Sequence, residues 1–69
     1  MRYYKFRVWI NGKETEPFIM SHAQIAAAGR IPGDLNDMIG VEKIIAEHMK
    51  YQKNVLDVSV EYFGVVENG

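Results

Sequence analysis

Met1-Arg2-Tyr3-Tyr4-Lys5-Phe6-Arg7-Val8-Trp9-Ile10-Asn11-Gly12 decides the fold. Successive side chains of a strand point to opposite faces, so the alternation puts Tyr4, Phe6, Val8 and Ile10 on one side and Tyr3, Lys5, Arg7 and Trp9 on the other. Asn-Gly directly after such a run is the strongest local signal for a hairpin, because both residues tolerate the positive φ that a tight turn requires. The stretch therefore reads as a strand over residues 2–10 with an apolar inner face and an outer face that interleaves aromatic and basic groups.

Working outward, a tight turn at Asn11-Gly12 pairs Ile10 with Lys13, Val8 with Thr15 and Arg7 with Glu16. It also sets Glu14 beside Trp9. Pro17 falls opposite Phe6, where it has no N–H to give the ladder. The second strand is thus expected on an edge, regular only to about Glu16, with a bulge or register shift that lets Phe18, Ile19 or both reach the core.

Residues 21–29 read as a short helix, with Ser21 as N-cap, alanines inside and Gly29 as the left-handed stop. Pro32-Gly33 breaks the chain before the main helix, expected over about residues 35–52. Met38, Val41, Ile45 and Met49 recur there at helical spacing, and Gly40 is expected to weaken the first turns so that regular helix begins near Val41. A last strand is expected over residues 55–66, with Leu56, Val58, Val60 and Tyr62 inward, Val55, Asp57, Ser59, Glu61 and Phe63 outward, and Gly64 as a bulge. The fold class is α+β, in the order β-β-α-α-β. A three-stranded antiparallel sheet of order 2-1-3 packs on one main helix and one short helix, in a single small domain over residues 1–69.

Composition narrows the function classes. With 69 residues and no cysteine, the chain has one small core, no disulfide and no thiolate chemistry. Eight basic against nine acidic residues weigh against a dedicated nucleic-acid binder. No apolar run is long enough to span a bilayer, so no membrane role and a cytoplasmic location are expected. His22 and His48 fit no zinc spacing, residues 29–34 lack the phosphate-loop Lys-Ser/Thr, and adjacency of Ser21 to His22 does not build a catalytic pair. The expectation is a chain without enzymatic activity, metal or cofactor.

The candidate binding residues are Tyr3, Lys5, Arg7, Trp9 and Phe63, on the outer face of the sheet. Read functionally, aromatics stack bases and cations meet phosphates. Read structurally, Arg7 pairs with Glu16, and Lys5 or Arg7 with Asp57 or Glu61, which neutralises the patch. The second reading favours a protein-protein interaction module acting through the outer face or through the unpaired edge of the last strand, its partner another protein or a second copy of the chain. Single-stranded nucleic-acid binding on the same face is the alternative.

Two resemblances attach to short stretches. Residues 21–29 resemble the first helix of a helix-turn-helix, but Pro32-Gly33 and the acidic Asp34 and Asp37 stand where a basic recognition helix would follow. Tyr4-Lys5-Phe6-Arg7-Val8-Trp9, together with the size of the chain, resembles the opening strand of small open reading frames carried by bacterial conjugative elements and prophages. That resemblance implies a bacterial setting and an accessory role, and it transfers no catalytic or binding residue.

Overall fold

A computed structural model describes residues 2–67. The hairpin forms as its turn residues demand. β1 (Arg2–Ile10) leads through Asn11 and Gly12, at φ 53° and 80°, into β2 (Lys13–Glu14), which pairs Trp9 with Glu14 and Ile10 with Lys13. The second strand is broken by Pro17. β2 stops after Glu14, and β3 (Phe18–Ser21) resumes against the same central strand with the register moved by one residue, pairing Phe6 with Phe18 and Tyr3 with Ser21. Pro17 thereby escapes the ladder position opposite Phe6 that it could not satisfy. Phe18 and Met20 turn to the core and Ile19 faces out, 51% exposed.

Ser21 closes β3 and caps α1 (His22–Ala27). The Gln24 N–H donates to Ser21 Oγ at 3.1 Å, and Gln24 Oε1 accepts from the Ser21 N–H at 2.8 Å, a reciprocal capping box. Gly29 then takes φ 78° as the chain leaves the helix. The main helix α2 (Leu35–Lys53) begins six residues before Val41, because the Asp34 carboxylate caps it by accepting from the amides of Asn36 and Asp37. Gly40 therefore lies inside the helix instead of delaying it. It leaves room for Arg30, whose Nη1 would lie 2.8 Å from a β-carbon placed there.

β4 (Val58–Glu67) completes the sheet by running antiparallel along all of β1. Since β4 occupies one whole edge of β1, β2 and β3 must share the other, which gives the antiparallel arrangement with β1 central. The strand starts three residues later than its β-rich composition suggests. Asn54 ends α2 in a left-handed conformation, and residues 55–57 carry the chain back to the sheet, so Leu56 is left 93% exposed instead of facing inward. The register between β1 and β4 slips by one between Lys5 and Phe6, where Phe63 is the extra residue, and Gly64, paired with Lys5 at φ 153°, absorbs the bulge.

Both helices cover one face. Tyr4, Phe6, Ile25, Met38, Val41 and Ile45 form the core, with Met49, Val60 and Tyr62 packed against it. The Tyr4 hydroxyl lies 3.1 Å from Nδ1 of His22, so the most polar group of the inner stripe is partnered. Among the described residues, no helix is long and apolar enough to cross a membrane.

Candidate functional site

The helices leave the opposite face of the sheet uncovered, and the pleat puts Tyr3, Lys5, Arg7 and Trp9 on it. Phe63 joins them from β4, with the Lys5 ammonium 5.0 Å from its ring centroid. Its placement follows from the bulge, which lets Phe63 swing over the Lys5 stem at a point where β1 offers no separate partner. Ile19 and Val66 lie directly across from Lys5 and Tyr3 on the flanking strands. Phe63 is 62% exposed, which makes it the most open aromatic of this face.

All the residues singled out from the sequence share the face, yet they do not form one aromatic cluster. Arg7 divides them. Its Nε donates to Glu14 Oε2 at 2.9 Å and its Nη2 to Glu14 Oε1 at 3.0 Å, a bidentate fork. The same guanidinium lies 4.9 Å from the centre of the Trp9 ring. Trp9 and Phe63 therefore stand on either side of a charged band, each under its own cation.

The ion pair differs from the expected one. A straight hairpin sets Glu16 opposite Arg7, but the last hairpin bond runs from the Thr15 N–H to the Val8 carbonyl at 2.8 Å, and Glu16 leaves the sheet where the Pro17 break begins. Glu14, diagonal to Arg7 across the hairpin, takes the guanidinium instead. Its carboxyl is held below the usual carboxylate range, first by the Arg7 hydrogen bond and further by the charges of Arg7 and Lys5. The Arg7 guanidinium is pushed above its ordinary value by the same hydrogen bond and by the charge of Glu14, with a smaller contribution from the charge of Glu61. Lys5, for its part, makes its contact with Phe63 and has no ion pair with Asp57 or Glu61.

Glu42 is the residue that sequence reading missed. From α2 its Oε2 accepts from the Tyr62 backbone N–H at 2.6 Å, which brings a carboxylate onto the far edge of β4. The hint in the sequence was slight, since Glu42 follows Val41 of the apolar stripe and reads as solvent-facing. Burial also pushes the Tyr62 phenol above its ordinary value, the nearby Tyr4 adding to the effect.

Elsewhere the surface offers shallow hollows. One of about 370 Å³ lies at the Pro17 break between Ile10, Phe18 and Met49, and an open one of about 510 Å³ lies over Gly40 between Arg30 and Lys43. Neither is lined by a histidine. His48 is exposed on α2 and His22 is engaged with Tyr4. Among the described residues no group of acids and histidines is placed to hold a metal ion.

The comparisons with known proteins return nothing: no family model matches the chain, and no curated protein and no solved structure matches it either.

Proposed function

We propose that this chain is a non-enzymatic accessory protein that docks a partner protein on the outer face of its sheet. The observation that carries the proposal is the makeup of that face. Exposed Phe63, Ile19 and Val66 surround Lys5 and Tyr3 with no layer of the described residues above them, while Arg7 is engaged by Glu14 and lies within the field of Glu61, so that the two cations of the face are equalled in number by two acids. Apolar area without net charge suits a protein surface better than a phosphate backbone. The size of the face adds a limit. A nine-residue strand flanked on both sides spans about 30 Å by about 14 Å, roughly 400 Å². A standard interface takes about 800 Å² per partner, so the partner on this reading is a transient one. The bacterial, cytoplasmic setting implied by the mobile-element resemblance belongs to the same proposal.

Single-stranded nucleic acid on this face is the weaker reading, because the Glu14 fork already engages Arg7 and the aromatics are separated by it. Site-specific photo-crosslinking separates the two. A benzophenone side chain at position 63 is expected to give a discrete, nuclease-resistant protein adduct in cells. The same group at exposed Tyr51 on α2 serves as background. A nucleic-acid adduct, or no adduct above the position-51 background, would overturn the proposal.

A further inference from the structure

The far edge of β4 is unpaired by any strand among the described residues. Two bonds fix which of its amides face outward. Asp57 O accepts from the Asn11 N–H at 2.9 Å, so odd-numbered positions here turn toward β1; the Tyr62 N–H goes to Glu42, so even-numbered positions turn away. Val58 and Val60 share the parity of Tyr62 and present their N–H and C=O groups to the same open edge.

We infer that this edge is a strand-addition site for a second copy of the chain, and that Glu42 holds it shut by occupying the Tyr62 N–H. The charge pattern selects the partner and its register. Two copies of β4 pair antiparallel about a two-fold axis, as isologous contacts do. Centred on Val60, the axis sets Val58 against Tyr62 of the other copy and Ser59 against Glu61, with no acid facing an acid. Centred on Glu61, it would oppose the two Glu61 carboxylates, which is unfavourable. The favoured register requires each Tyr62 N–H to donate to the Val58 carbonyl of the other copy. Glu42 already takes that donor and sets a negative charge where the incoming carbonyl must lie. An acidic side chain turned onto an edge is one of the means by which sheets avoid edge-to-edge association. The outer face is separate from this edge, and the inference does not rest on docking there.

Sedimentation velocity on the full chain tests it. The native sequence is expected to run as a monomer with respect to this edge, and Glu42→Ala to approach twice that mass as concentration rises. Adding Ser59→Glu to Glu42→Ala faces acids across the dimer and is expected to weaken association about tenfold, whereas Ser59→Lys is expected to strengthen it. A folded Glu42→Ala that stays monomeric, or a dimer indifferent to the charge at position 59, overturns the inference. Hydrogen exchange on the native chain provides a reading independent of how well the variant folds. Tyr62 is expected to be protected while Val58 and Val60 exchange freely; protection at all three, or at none, refutes the guarded edge.

Discussion

Gly40→Ala sets two effects of known size against each other inside α2. A glycine in a helix interior is about 1 kcal/mol less favourable than alanine, so the substitution gains roughly that much in propensity. Against it stands Arg30, whose Nη1 and Cζ lie 2.8 and 2.9 Å from where the new β-carbon would be. Real β-carbons do not sit that close to a neighbour, so one group must move. The obstacle is the far end of a long flexible side chain that is half-buried and joined by no ion pair among the described residues. Displacing it costs some packing of the stem, about 0.5 kcal/mol or less, since surface changes of this kind stay within that range. The net is a stabilisation of about 0.5 kcal/mol, which for a chain of this length raises Tm by roughly 2–4 °C. Thermal and urea denaturation followed by helical circular dichroism measure it, with Arg30→Ala and the double variant closing a cycle. A Gly40→Ala chain less stable than the native one, with the loss abolished by Arg30→Ala, would show that the Arg30 packing outweighs propensity and refute the reasoning.

Tyr4→Phe and His22→Ala are each expected to cost about 1 kcal/mol by removing one partner of the 3.1 Å contact, and the double variant less than the sum; additive losses would mean the groups are not coupled. The Glu14 carboxyl is depressed in the folded chain, so the stability it contributes is present above its ordinary value near 4.5 and is lost as pH falls below it. Denaturant melts at neutral pH and near pH 3 are therefore expected to differ less for Glu14→Gln than for the native chain, and equal acid sensitivity contradicts the assignment. Trp9→Ala is expected to cost the fold no more than about 1 kcal/mol, because half-buried Trp9 lies outside the core and packs under Arg7. Global unfolding in circular dichroism would make it a structural residue instead.

Much of the fold was legible because it rests on short-range rules. The Asn11-Gly12 turn, the Ser21 cap and the stripe of Met38, Val41 and Ile45 each depend on residues within a few positions of one another. The candidate face was legible for the same reason, since period two alone puts Tyr3, Lys5, Arg7 and Trp9 together. Its electrostatics were less so. Which acid meets Arg7 depended on where the hairpin ladder ends, and that depended on how the chain passes Pro17. Strong β-branched composition likewise carried the expected last strand back to Val55, although Asn54 and the return from α2 delay it to Val58.

By itself, then, the sequence determined the period of each element, the turn and caps between them, and which side chains share a face, because these follow from local geometry and the burial of apolar stripes. Only the tertiary structure decided the contacts between residues far apart in the chain. Glu42 meets Tyr62 and Arg30 lies across Gly40 because helix and sheet were brought to a particular distance and angle by the packing of a whole core. No local pattern encodes that angle. It is the joint outcome of the volumes of Phe6, Ile25, Met38 and Val41, and it determines whether the outer edge of β4 stands open or is held by a carboxylate.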